Sequence, residues 1–443
     1  MRTLRIGAGS GFSGDRIEPA VALAREGRLD YLVFECLAER TIALAQLARL
    51  ADPAKGYDTR LEQRLRAVLP DCLHNGTRIV TNMGAANPLA AAERAAALAR
   101  EMGLKLRVAA VLGDDVLDRI GPASLDETGA PAAALGARLV SANAYIGASG
   151  IAEALAAGAD LVICGRASDP SLFLGPLLHE FGWAMDDWTR LGRGILVGHL
   201  LECSAQVSGG YYADPGLKDV PDLAAIGFPL AEVDESGNAV ITKLPGTGGC
   251  VSRGTCIEQL LYEIHDPARY LQPDVVADFS QVTFEETGPD RVAVRGGAGH
   301  PRSGLLKVSV GCRDGWTGWG EISYAGPGAA ARGRLAAEIV RTRLAAQGNA
   351  LEEMRCDLIG LDAILPASAG PAAAEPREVR LRVAGCSPQR EVAAALADEV
   401  EALYLCGPAG GGGVATGLRE VIGIRSAFLP AEAVPVSVHC VEA

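Results

Sequence analysis

Leu4-Arg5-Ile6-Gly7-Ala8-Gly9-Ser10-Gly11-Phe12-Ser13-Gly14-Asp15 opens the chain with a short apolar run that breaks into glycines and hydroxyls. A run of this kind ahead of an Ala/Leu-rich helical stretch is the start of a β-α unit. The alternation then repeats: residues 4–8, 31–34, 78–81, 106–111, 139–144 and 161–164 read as strands, and 88–102 and 151–157 carry helical periodicity. Each strand run is nearly all apolar instead of alternating, as expected where helices cover both faces of a sheet. The expectation is an α/β fold with a mostly parallel sheet flanked by helices. A barrel and an open doubly wound sheet both satisfy the pattern, and six clear strands before the character changes favour the open sheet.

That change comes near Asp186. Residues 188–207 read as one long helix, and after Gly209-Gly210 the strand-turn signals at 240–242, 275–279, 292–294, 305–310 and 321–324 surround a helix at 256–264. This predicts a second, α+β unit. A helix at 330–347 leads to strands at 358–364, 379–383, 421–424 and 436–441 around a helix at 391–404, a small C-terminal α+β layer. The expected domains are therefore 1–215, 216–350 and 355–443. The Ala/Pro-rich stretch 366–376 reads as a surface loop or linker, and no internal repeat is present.

Composition narrows the function classes. A chain of 443 residues exceeds the size at which one core keeps growing, and 49% apolar with 21% charged residues is ordinary globular composition. The net charge of −13, with no stripe of Lys and Arg, argues against nucleic acid as a partner. No apolar stretch of about 18 residues predicts a membrane span, and the first residues do not read as a secretory signal. Eleven scattered cysteines without a C-x-x-C pair suggest reduced thiols rather than a disulfide framework or zinc knuckle. A cytoplasmic protein, forming a homo-oligomer, is the expectation.

In an open α/β sheet ligands bind outside the carboxyl ends of the strands, so the residues just after each strand are the first candidates. After the first strand, Ser10, Ser13 and Asp15 sit in a glycine loop that either cradles a phosphate or carboxylate on its N–H groups or makes a tight turn capped by Asp15. The second strand ends in Phe34-Glu35-Cys36, where a buried Glu35 would be a general acid/base and the alternative is a helix cap through Thr41 or its neighbours. Asn82 and Asn143 follow the third and fifth strands and can hold a carbonyl or hydroxyl without adding charge. After the sixth strand, Arg166 either grips an anionic group or pairs with Asp169, which with Pro170 starts the next helix.

On the long helix, His199, Glu202 and Cys203 share a face, a spacing that suits a His–Glu acid/base pair and, as a weaker alternative, a metal site. Leu244-Pro245-Gly246-Thr247-Gly248-Gly249-Cys250 precedes a helix and makes a second anion-binding candidate. Cys250 lacks a visible partner base. The last glycine run, around Gly411, is longer than a helix cap requires: it admits a ligand to the backbone, or it is a lid or subunit contact.

Taken in order, G-A-G-S-G-F-S-G-D, F-E-C-L-A-E-R-T, S-A-N-A-Y-I-G-A, G-R-A-S-D-P, G-H-L-L-E-C-S-A-Q-V-S-G-G, L-P-G-T-G-G with Q-L-L-Y-E-I, and G-P-A-G-G-G-G resemble the acyclic terpene utilisation (AtuA-like) family over about residues 4–430. The resemblance implies bacterial degradation of citronellol and geraniol through acyl-CoA intermediates. It carries the site to Ser13, Asp15, Glu35, Asn82, Asn143, Arg166, Asp169, His199 and Glu202, with the loops around Gly248 and Gly411 as binding elements. Longer relatives carry a ferredoxin-like C-terminal domain, which residues 355–443 either match or replace.

Two functions compete on this reading. The first is a lyase, such as a hydratase, acting on a branched or unsaturated acid or its CoA thioester. Amides and loop N–H groups would polarise the carbonyl while Glu35 or His199 moves a proton, with Glu202 and Asp169 completing the catalytic set and Gly248, Gly249 and Gly411 the binding set. The second is a non-catalytic ligand-binding or scaffold subunit, and a metal-dependent hydrolase is a third. A CoA thioester enters as substrate, and no resident cofactor or metal is expected.

Overall fold

The computed structural model describes residues 2–348, 351–365 and 375–442. Most of the expected linker at 366–376 lies outside the described residues. The chain forms two compact units, Met1–Gly311 with Ile424–Ala443, and Cys312–Gly423.

The first unit is built on an open ten-stranded sheet. Its middle is parallel: Thr3–Ser10, Tyr31–Phe34, Arg78–Thr81, Leu161–Cys164 and Arg107–Leu112 lie side by side in that spatial order. Tyr31, Val33 and Val80 enter the core on one face, and Leu32, Phe34 and Ile79 enter the core on the other. Both faces are covered, which is why these runs are continuously apolar.

The sheet is nonetheless mixed, not mostly parallel. Beyond Thr3–Ser10 the strands Pro229–Asp234, Ala239–Lys243, Arg291–Arg295 and Thr283–Gly288 add antiparallel, and Ser437–Glu442 adds antiparallel to Arg107–Leu112 at the opposite edge. For two of these pairings the physical reason is the length of the connection. Ser236-Gly237 between two of these strands, and Pro289-Asp290 between another two, are hairpin turns, and a hairpin can only return antiparallel. Residues expected to start a second unit at 216 thus extend the first sheet.

Other elements also moved. Leu139–Ala144, read as a sheet strand, lies off this path and pairs with Leu305–Ala325, which is one long strand where two short ones were expected. The long helix spans Trp188–Glu202 and then tightens into a 3-10 turn at Ser204–Gln206 instead of running to 207. Its start is capped by Asp187, whose side chain accepts from the Arg190 N–H at 3.1 Å.

The second unit has the antiparallel strands Glu353–Ile359 and Glu378–Ser387, the latter paired with the 316–325 part of Leu305–Ala325. The helices Ala329–Ala346 and Arg390–Cys406 share its core with Ile322, Tyr324, Leu381 and Val383. The strand expected at 436–441 is not part of this layer, since Ser437–Glu442 hydrogen-bonds in the ten-stranded sheet. Among the described residues no helix is long and apolar enough to cross a membrane.

Candidate functional site

At the carboxyl ends of the central strands a cavity of about 740 Å³ opens in the first unit. Of the residues singled out in the sequence, Ser13, Glu35, Arg166, Asp169, Glu202 and Cys203 line it. Glu35 follows Tyr31–Phe34, Arg166 follows Leu161–Cys164, and Glu202 is the last residue of Trp188–Glu202.

Glu35 is held by one oxygen. Its Oε1 accepts from the Leu37 N–H at 2.7 Å and from Asn82 Nδ2 at 2.9 Å, while Asn82 Oδ1 accepts from the Cys36 N–H at 2.8 Å. Neither bond falls on Oε2, which is left to the cavity that the residue lines. Burial pushes this carboxyl up to about 7, against the pull of Arg166, Asn82 and the Leu37 N–H, and the nearby Glu202 charge adds to the rise. Of the cap alternative, through Thr41 or its neighbours, the bond from the Leu37 N–H just ahead of the helix Glu39–Ala51 is made, while Thr41 bonds the Ala38 backbone.

Arg166 is buried and occupied. It ion-pairs with Asp169, and its remaining bonds run to the carbonyls of Ala167 and, at 2.6 Å, Leu37. Asn143 does not reach the cavity. Its Nδ2 donates to Asp114 at 2.9 Å, and the same Asp114 oxygen accepts the Arg166 N–H at 2.9 Å. Asn143 and Asp114 therefore set the Arg166 backbone, and burial raises Asp114 to about 6.

His199 stands behind the wall. Its Nδ1 lies 2.8 Å from Glu202 Oε1, its Nε2 lies 3.1 Å from the Leu260 carbonyl oxygen, and the ring packs in a cluster with those of Tyr270 and Phe279. Burial alone would lower the imidazole, but the Glu202 carboxylate and the Leu260 carbonyl more than offset it and raise it above its usual value. Burial pushes Glu202 up, opposed by His199. With both ring nitrogens engaged, the weaker metal alternative of His199, Glu202 and Cys203 has no free imidazole lone pair to use, and no cluster of metal-binding side chains occurs among the described residues.

The first glycine loop contributes Gly11, Phe12 and Ser13 to the cavity. Its neighbours work on the loop itself: Ser10 Oγ donates to the Glu35 carbonyl at 2.7 Å, and Asp15 accepts from the Gly11 and Arg16 N–H groups. Burial raises Asp15 despite those bonds. Gly11 is needed because a Cβ there would sit 2.5 Å from the Cys203 backbone carbon, so the loop lies directly on the end of the long helix.

Gly248, Gly249 and Gly411 are not part of this cavity. Gly248 and Gly249 donate to the carbonyls of Ala225 and Pro221, and Cys250 donates to that of Ser208. Gly411 lies in the second unit against Ile322 and Tyr324, beside a separate cavity of about 440 Å³ lined by Tyr324, Arg380, Gly410 and Gly412.

Several lining residues were not foreseen. Tyr145 donates to Glu39 at 2.6 Å and lies under two cations, Arg166 at 4.5 Å and Lys307 at 5.0 Å from its ring centre. Burial would raise Glu39, but Tyr145 and Lys307 hold it at about 2. Ser168 bonds Gln272, and Arg269 makes no ion pair among the described residues. Phe12, Tyr262, Leu271, Leu305 and Phe428 line the opening and are exposed. Tyr145 directly follows the predicted strand 139–144 and Asp114 lies three residues past the predicted strand 106–111, so the strand-end rule points to both. Leu305 and Lys307 come from Leu305–Ala325, Leu271 from Tyr270–Leu271 and Phe428 from Gly412–Pro430, segments far apart in the chain whose approach no local pattern encodes.

The model of the acyclic terpene utilisation family protein AtuA matches residues 4–440. No curated protein and no solved structure matches the chain.

Proposed function

The chain belongs to the acyclic terpene utilisation AtuA family, and on that premise we propose that its cavity is the active site of a hydratase-type lyase. Its substrate is a branched or unsaturated carboxylic acid or the corresponding CoA thioester. The observation that carries the reading is Glu35, a carboxyl fixed through Oε1 with Oε2 free for a ligand. Its proton affinity near neutrality, about 7, suits it to give and regain a proton at cellular pH.

The surroundings support the substrate class. A volume of about 740 Å³ falls within the roughly 300–1,000 Å³ of small-molecule sites. The exposed apolar rim of Phe12, Leu271, Leu305 and Phe428 suits a branched hydrocarbon chain, and Arg269 and Lys307 at the same opening suit a carboxylate or the phosphates of a CoA.

Purified protein mixed with branched 2-enoyl and 3-hydroxyacyl CoA thioesters and their free acids should add or remove water, followed by enoyl absorbance. Silence across that panel sinks the lyase reading in favour of a binding subunit.

A further inference from the structure

We propose that Glu202 and His199 form the base half of the site, with His199 as the imidazolium that keeps Glu202 a carboxylate and Glu202 as the group that takes the substrate proton. This rests on the acid/base reading of the cavity and divides its labour: Glu35 is the acid, Glu202 the base, and His199 a positioning residue.

The proton count follows from the hydrogen bonds. A carbonyl only accepts, so the 3.1 Å contact with Leu260 places a proton on His199 Nε2. One further proton lies in the 2.8 Å contact between Nδ1 and Glu202 Oε1. Tyr270 and Phe279 pack against the ring at 5.3 and 6.0 Å between centres and fix its orientation. Gln259 Nε2 donates to the His199 carbonyl at 2.9 Å and fixes that turn of the helix.

The second observation is independent of any charge assignment. Glu202 lines the cavity, yet its Oε2 is buried with no hydrogen-bond partner. A buried acceptor left bare costs about 1–3 kcal/mol, more when charged, and such atoms in a native fold call for an explanation. A ligand that brings a proton to this oxygen removes the cost. Just beyond it Ser204 holds a φ of 47°, a strained conformation for a residue with a side chain, at the turn that ends the helix. Glu35 Oε1 and Glu202 Oε1 are thus both occupied by the protein, and each residue retains one oxygen for chemistry.

The step balances without a co-reactant. Glu202 removes the proton from the carbon next to the thioester carbonyl, and the C–H electron pair becomes the C=C bond. The C–O bond at the next carbon breaks, and its hydroxyl leaves with the Glu35 proton as water. Glu202 ends protonated and Glu35 ionised, and transfer of one proton resets both.

The test separates base from acid. In D2O, a saturated branched acyl-CoA, 3-methylbutanoyl-CoA, cannot eliminate but can exchange its C2 hydrogens, read by proton NMR. Native protein should exchange, Glu202→Gln should lose at least about 100-fold, Glu35→Gln should lose less than Glu202→Gln, and His199→Gln should also lose less while shifting the pH profile of exchange. Exchange kept by Glu202→Gln and lost by Glu35→Gln overturns the assignment but leaves an acid/base cavity standing. No exchange by native protein together with no turnover of the thioester panel sinks both readings. If Glu202→Gln does not fold, 15N-histidine NMR of the native protein still decides: two protonated ring nitrogens at neutral pH are expected for His199, and a neutral ring overturns the proposal.

Discussion

The chain carries two glycine-rich loops that read alike in sequence and differ in the fold. The loop at 7–15 presents Gly11, Phe12 and Ser13 to the cavity, and carbonyl oxygens of Phe12, Ser13, Gly14 and Asp15 are held by Arg60 and Arg64. The loop at 244–250 spends its N–H groups on Ala225, Pro221 and Ser208 and lines neither of the two cavities described. Glycine content marks where a backbone passes close to something. Whether that something is a ligand or another stretch of the same chain depends on where the N–H groups end, and this is a non-local property.

The largest expected effect falls on the closed loop. A Cβ at Gly248 would lie 1.9 Å from the Asp222 carbonyl oxygen, so Gly248→Ala should cost about 3 kcal/mol or more by denaturant unfolding. Native-like stability would break the comparison and return this loop to the binding candidates. Next comes Glu35→Gln on the cavity side, expected to lower turnover by about 10²–10⁴-fold.

The same variant has an opposite effect on stability. Glu35 binds its proton more tightly folded, at about 7, than the usual 4.5 of an unfolded carboxyl. Stability from this group is present below pH 4.5 and is lost as pH rises through 7. Glu35→Gln should therefore unfold like native protein at pH 4 and be more stable by on the order of 2–3 kcal/mol at pH 8. Equal stability at both pH values would mean that the carboxyl is not buried as described.

Asn82→Ala removes the donor to Glu35 and strands the Cys36 N–H. A loss of about 1–3 kcal/mol in thermal unfolding is expected, with a downshifted activity. The smallest effect sharpens the comparison most. Phe12 is 59% exposed, so Phe12→Ala should leave stability within about 0.5 kcal/mol while raising KM roughly tenfold, and an unchanged KM would remove the open loop from substrate contact.

The parallel centre of the sheet was legible because continuous apolar runs such as Tyr31–Phe34 and Leu161–Cys164 have one structural solution, strands buried on both faces. The antiparallel additions were not. Thr283–Gly288 is mostly exposed and carries Glu285 and Glu286, and its pairing depends on a partner fixed only by the hairpin to Arg291–Arg295. In the site, Glu35, Arg166 and Glu202 were readable because strand ends and one helical face converge by rule. Asn143 was read as a ligand contact and holds Asp114 instead, a role set by a contact across 29 positions. Tyr145, Lys307 and Phe428 come together from three distant segments, and no local pattern announces such a meeting.

The strand Ser437–Glu442 sets the order in which the protein can be made. It pairs with Arg107–Leu112, yet it leaves the ribosome only after all of Cys312–Gly423. During synthesis the second unit can therefore fold before the first is complete, while the edge at Arg107–Leu112 waits uncovered and open to chaperones or to a neighbouring nascent chain. Shortening the delay, by circular permutation that opens the chain after Pro430, where the strand Gly412–Pro430 ends, and brings residues 431–442 ahead of 312, should reduce losses during expression more than it changes the finished protein.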